Sequence, residues 1–179
     1  MASIEKKYIG LLGGSFDPAH KGHLGISNIA IKKLKLKKVY WVVTKKNPFK
    51  KKTFYSLDER VKYAKKMSRA HKKIQAIYLE NFVKSSRTID MINYFIKKKN
   101  IKNIYFLIGS DNLIKFHKWK SWKKIVKLVK LIVFSRRGYD RKGMKSTVVK
   151  NFENKIVFIK NKPIFISSTQ LKRRTRSNI

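Results

Sequence analysis

Cysteine is absent from the 179-residue chain. That excludes disulfides and thiolate metal centres, and it fits a reducing, cytoplasmic setting. No apolar run approaches the roughly 20 residues that span a bilayer, so no membrane segment is expected. Met1 to Gly10 holds no long apolar stretch ahead of a small-residue cleavage site, so no signal peptide is expected either. Neither G-x-G-x-x-G nor G-x-x-x-x-G-K-[ST] occurs, which leaves a Rossmann dehydrogenase and a P-loop ATPase without support. Acidic residues are scarce: 9 Asp and Glu stand against 46 Lys and Arg, a formal net charge of +37.

Such a charge attracts polyanions of any kind. Its distribution argues against a dedicated nucleic-acid site. Basic residues run through every segment, from Lys32–Lys38 and Lys45–Lys52 to Lys115–Lys130 and Lys172–Arg176, and form no single tail or stripe. Ile, Asn and Lys are abundant together, as a bias acting on the whole sequence produces. There is no helix-turn-helix, zinc-ligand set or aromatic RNA-binding signature. The charge therefore reads as compositional drift from which anionic nucleotides benefit, with no specific nucleic-acid partner expected.

What is present is a folded pattern. The hydrophobic 42% comes in blocks, enough for one domain over residues 1–179 with a real core. Strands are expected at Tyr8–Leu12, Val39–Val43, Ile74–Leu79, Ile104–Ile108, Leu131–Phe134 and Ile156–Ile159. Helices are expected at Gly22–Lys33, from the S-x-x-E capping box Ser56/Glu59 to about Arg69, at Thr88–Lys98, at Ser121–Val129, and from Ser168 onward. Arg136–Asn154, polar and basic, is expected to be the least ordered stretch. Continuously apolar strands alternating with helices predict an α/β fold, a Rossmann-like, doubly wound parallel sheet with helices on both faces. Ligands of such sheets sit beyond the carboxyl ends of the strands, where strand order reverses.

The segment after the first strand is Gly13-Gly14-Ser15-Phe16-Asp17-Pro18-Ala19-His20-Lys21-Gly22-His23. Gly13 and Gly14 let the backbone turn tightly and approach a ligand. A helix beginning near Gly22 points free N–H groups at the same space. His20 and His23, three apart, fall on one face and can donate hydrogen bonds to phosphate oxygens; Gly22 leaves room for a phosphate between them. As metal ligands the histidines would have only Asp17 nearby, and a purely structural role is the commoner fate of a histidine.

This segment resembles the signature of the H-x-G-H nucleotidyltransferase superfamily, most closely its bacterial nicotinate-nucleotide adenylyltransferases, and the resemblance runs from Gly13 to about Lys172. It implies that His20 and His23 bind ATP phosphates and steady the pentavalent transition state. It also implies transfer of AMP from ATP to nicotinate mononucleotide, giving deamido-NAD and pyrophosphate, with magnesium. The ATP site would take Gly13, Gly14, Ser15, Phe16 and Gly22 from this segment, and Asp17 would serve the acceptor.

Five further segments carry the resemblance. Ile108-Gly109-Ser110-Asp111 resembles the family's G-x-D. Gly109 allows close approach and Asp111 can accept both hydroxyls of a ribose, or can simply cap a helix. Phe116-His117-Lys118-Trp119-Lys120-Ser121-Trp122 resembles the pattern whose first Trp borders the nicotinate ring, which assigns Trp119 to the acceptor and Trp122 to packing. Asn47-Pro48-Phe49-Lys50 resembles Asn-Pro-His-Lys, implying acceptor contacts from Asn47 and Lys50, with Phe49 replacing a His. Ser85-Ser86-Arg87-Thr88 resembles Ser-Tyr-Thr, placing Thr88 near the ring carboxylate, with Arg87 where Tyr is usual. Ile166-Ser167-Ser168-Thr169-Gln170-Leu171-Lys172 resembles I-S-S-T-x-[IL]-R, which adds Ser168, Thr169 and Lys172 to the ATP site, Lys172 standing for Arg. Two other readings stay open: a sibling enzyme using nicotinamide mononucleotide or phosphopantetheine, and a basic nucleic-acid-binding module. Monomer and homo-oligomer are both compatible with the chain.

Overall fold

Six short apolar runs line up side by side because a strand buried on both faces satisfies its backbone only through its neighbours. In the computed structural model, which describes residues 8–45 and 52–161, they are β1 (Ile9–Gly14), β2 (Lys38–Val43), β3 (Ile74–Tyr78), β4 (Ile104–Gly109), β5 (Lys130–Phe134) and β6 (Ile156–Ile159). All pair in parallel, in the order β3-β2-β1-β4-β5-β6. The order reverses between β1 and β4, as the sequence pattern leads one to expect of a doubly wound sheet.

The helices are α1 (Lys21–Lys33), α2 (Leu57–Arg69), α3 (Glu80–Val83), α4 (Thr88–Lys98), α5 (Ser110–Lys115), α6 (Trp122–Leu128), α7 (Asp140–Met144) and α8 (Thr147–Phe152). Alternation along the strands separates two cores. Leu11, Phe106, Ile108, Leu131 and Val133 face one way, against α4, α6 and α8 through Ile92, Phe95, Ile125 and Val148. Leu12, Trp41, Leu107, Ile132 and Phe134 face the other, with Ala30 of α1 and Ala64 of α2. The Ser56/Glu59 capping box forms as its spacing predicts, with Ser56 Oγ accepting from Glu59 N–H and Glu59 accepting from Ser56 N–H at 2.8 Å.

One expectation fails. Residues 136–154 contain α7, α8 and a 3-10 turn, Glu153–Lys155, instead of an irregular stretch. The polar sequence hides why. Asp140 Oδ1 accepts from the Arg136 N–H at 2.9 Å and from Ser110 Oγ at 2.6 Å. Gly143 lets α7 lie against Ser110, where a Cβ would stand 3.3 Å from the Ser110 carbonyl oxygen. Val148, fully buried, carries α8 into the core, with Val149 and Phe152 packed against the same cluster. The expected strand and helix ends otherwise shift by one or two residues. The expected helix from Ser168 lies outside the described residues.

Register explains where a cleft opens. β1 and β4 pair over four positions, Ile9–Leu12 with Ile104–Leu107. Beyond these, Gly13 and Gly14 stay with β2, while Ile108 and Gly109 stay with β5. The two strands diverge at their carboxyl ends.

Candidate functional site

The diverging strands form one wall each of a cleft of about 810 Å3, a size suited to a nucleotide-scale ligand. On the β1 side the chain turns at Phe16, whose φ of 45° is rare for a bulky side chain. Its ring is buried, 4.6 Å from that of His23 and 5.3 Å from that of Trp41. The turn therefore belongs to Phe16. Gly13 and Gly14 remain extended in β1, and their bare Cα atoms line the cleft. A methyl group at either would meet only ordinary contacts, with the rings of Phe106 and Phe16 at 3.7 and 3.6 Å.

His20 and His23 start α1 with a capping box built from imidazoles. His20, the N-cap, accepts from Gly22 N–H at Nδ1 (3.0 Å), and His23 Nδ1 accepts from His20 N–H (3.1 Å). The rings lie 3.8 Å apart, and both line the cleft. An Nδ1 that accepts carries no proton, so the proton of each neutral ring sits on Nε2, where it is a donor. The cap thus fixes the tautomer that gives each ring a donor for an anionic oxygen. It also occupies the Gly22 N–H, which the sequence left free for phosphate; Gly22 is buried in α1 and does not line the cleft.

Asp17, expected at the acceptor, is held by backbone donors. It is 1% exposed, lies outside the cleft lining, and its carboxylate accepts from Phe54 N–H and Tyr55 N–H at 2.9 Å each. Arg60 of α2, equally buried, completes the same structure. Its guanidinium donates to the carbonyls of Ser15 and Thr44 at 2.7 Å, Lys45 at 3.0 Å and Tyr55 at 3.2 Å. Burial pulls the Arg60 pKa below its ordinary value, against the opposing pull of Asp17 and Glu80. One cation thereby ties together the segments that follow β1 and β2. Nothing in the sequence singles Arg60 out among so many basic residues, except its place on the apolar face of α2 with Leu57, Val61 and Ala64.

On the β4 side, Gly109 is the N-cap of α5 and Asp111 lies in its first turn, so Asp111 is not the cap. Its Oδ1 is buried and lies 3.4 Å from Arg136 Nε. A Cβ on Gly109 would collide with that carboxylate oxygen. Ser110 is fully buried; its hydroxyl donates to Asp140 and accepts from the Arg136 N–H at 3.1 Å. Burial pushes the Asp140 pKa upward, but hydrogen bonds from Ser110, the Arg136 N–H and Ser135 hold it below its ordinary value. Trp119, half-buried, stacks on Phe116 at 4.8 Å and meets Phe106 edge-on at 6.0 Å, and it lines the cleft between Lys118 and Lys120. Trp122 does not line it, and packs edge-on against Phe152 at 5.7 Å. Thr88 and Arg87, at the start of α4, border the same space.

The fold therefore brings Gly13, Gly14, Ser15, Phe16, His20, His23, Thr88, Gly109, Asp111 and Trp119 to one cleft. Asn47, Lys50, Ser168, Thr169 and Lys172 lie outside the described residues. Arg136 and Ser110 went unremarked in sequence. The first sat in a segment expected to be loose, and the second sat inside a motif whose aspartate took the attention.

Comparison with known proteins shows the family and the fold. The cytidylyltransferase-like family matches residues 11–174. A Pelagibacter ubique protein described as a probable nicotinate-nucleotide adenylyltransferase is 48% identical over 170 residues, 94% of each chain. A Methylorubrum extorquens protein of the same description is 36% identical over 132 residues, 73% of this chain and 71% of its own. Among solved structures, the nicotinic acid mononucleotide adenylyltransferase of Plasmodium falciparum complexed with NaAD has the same fold. Its TM-score is 0.72 at 19% identity, covering 93% of this chain and 83% of that one.

Proposed function

Because the chain belongs to the cytidylyltransferase-like family, and within it to the nicotinate-nucleotide adenylyltransferases, we propose that its cleft moves AMP from ATP onto nicotinate mononucleotide, giving deamido-NAD and pyrophosphate. The observation that carries this is the meeting, in one cleft, of the imidazole pair after β1 with Asp111 and Trp119 after β4. No covalent nucleophile is needed. The acceptor's phosphate oxygen attacks the α-phosphorus of ATP in line, pyrophosphate leaves, and the protein positions the partners and stabilises charge. His20 and His23 donate to the phosphate oxygens, Asp111 accepts from the ribose hydroxyls, and Trp119 with Thr88 receives the nicotinate ring. Asn47 and Lys50 serve the acceptor, and Ser168, Thr169 and Lys172 serve ATP, as the resemblance implies.

Magnesium would be held chiefly by the ATP phosphates and water, and would supply neutralisation of phosphate charge. Among the described residues no three His, Asp or Glu side chains cluster to cage a metal. Magnesium commonly keeps its phosphate and water ligands with only one or two carboxylates. The absence of cysteine supports a cytoplasmic enzyme, and no helix among the described residues is long and apolar enough to cross a membrane.

Pyrophosphate release from ATP, measured with nicotinate mononucleotide, nicotinamide mononucleotide and phosphopantetheine in turn, tests the reading; it predicts the highest kcat/KM with the first. Preference for phosphopantetheine would overturn it. Trp119→Ala is expected to raise the acceptor's KM about tenfold, a loss on the scale of a base-stacking contact, while moving that of ATP much less. Equal effects on both would remove Trp119 from the acceptor site.

A further inference from the structure

Asp111 and Arg136 share a relation that the reaction as described does not use. Their contact, 3.4 Å between Nε and Oδ1, is longer than a charge-assisted hydrogen bond. Oδ1 is buried with no hydrogen bond among the described residues, while the Arg136 side chain is 51% exposed. The backbone of Arg136, by contrast, is fastened. Its N–H donates to both Ser110 Oγ and Asp140 Oδ1, and Ser110 is fully buried. A fixed Cα at the cleft rim thus carries a long, weakly held cation. Gly109 supplies the room: a Cβ there would stand 3.1 Å from Arg136 Nε as well as striking the Asp111 carboxylate.

A ribose diol and Arg136 compete for the same oxygen. Taking the diol releases a guanidinium at the rim of a cleft that must hold a polyanionic phosphate chain, and a free guanidinium is a strong phosphate partner. We infer that Arg136 is a nucleotide-binding residue that exchanges partners: its guanidinium pairs with Asp111 until the ribose takes that carboxylate, and then pairs with a phosphate oxygen of the same nucleotide. The exchange has two consequences. Asp111 is neutralised before binding, and a nucleoside without phosphates pays the loss of the ion pair with no return.

This rests on the nucleotide reading of the cleft, and the test separates the two. Equilibrium binding of ATP and of adenosine is measured by calorimetry for the wild-type chain, Arg136→Ala and Arg136→Gln. ATP affinity is expected to fall about tenfold or more in both variants, the scale of one charge-assisted hydrogen bond. Adenosine is expected to bind as well as to wild type or up to a few-fold more tightly, because its competitor for Asp111 has gone; retained adenosine binding also reports a folded variant. Equal weakening of both ligands would make Arg136 a strut for the nucleoside pocket and overturn the exchange, as would unchanged ATP affinity. If the wild-type chain bound neither ligand, the nucleotide reading itself would fall with it.

Discussion

His20→Ala is expected to lower turnover by about 100-fold or more, the scale on which one transition-state donor acts, and His23→Ala to do the same. Alanine at position 20 removes two things at once, because the His20 ring also caps α1 through the Gly22 N–H. Loss of a cap costs about 1 kcal/mol of stability and does not by itself slow chemistry. Substitutions that keep the cap separate the contributions. Asparagine is among the best N-cap residues, and glutamine at the third helical position can return the hydrogen bond to the N-cap N–H. His20→Asn and His23→Gln should therefore melt near the wild-type temperature and remain as slow as the alanine variants. Steady-state turnover with saturating ATP and acceptor, beside a thermal melt, decides the matter. Recovery of turnover by the cap-preserving variants would show that the imidazoles act only through the helix start.

The second large effect is on stability. Arg60→Met keeps the length and apolar stem of the side chain but leaves the carbonyls of Ser15, Thr44, Lys45 and Tyr55 without their donor. Buried acceptors left unpaired cost about 1–3 kcal/mol each. Because loops relax toward water, a total of about 3–5 kcal/mol is expected, which for a chain of this size lowers Tm on the order of 10 °C. Arg60→Lys should recover only part of the loss, since an ammonium cannot span four carbonyls as the planar fork does. Denaturant unfolding monitored by tryptophan fluorescence measures this, and a shift below about 1 kcal/mol, the scale of a typical single hydrogen bond, would show that the carbonyls find water instead. Arg60 touches no cleft surface, yet it holds the segment from which His20 follows, so turnover should fall along with stability.

The strands were readable because each is a short β-branched or aromatic run with a turn residue close by, and α2 was readable from Ser56 and Glu59. The histidine pair was readable as a candidate for phosphate chemistry. That it is also a capping box was not, although His20 and His23 have the same spacing as Ser56 and Glu59, because imidazoles are seldom counted among cap residues. The structural role of Asp17 was hidden for a related reason. Beside a glycine-rich turn a carboxylate looks like a ligand contact, and only the fold shows residues 54 and 55 crossing over it. Arg60 and Arg136 were hidden by abundance, since in a chain with 46 basic residues one more carries no signal. Their partners are carbonyls and a carboxylate supplied by distant segments. The helices of residues 136–154 depend on Asp140 and Gly143 meeting Ser110, a contact that no local pattern encodes.

The divergence of β1 and β4 makes the cleft a wedge with its apex at Leu12 and Leu107. Each flank is backed by its own outer neighbour, β2 or β5, so the span from the imidazoles to Asp111 is a length set by strand twist and backbone pairing. Side-chain identity on the outer surface does not enter it. Lysine has therefore been able to spread over much of the solvent-facing surface, to a net charge of +37, while the gauge of the wedge stayed where the sheet put it.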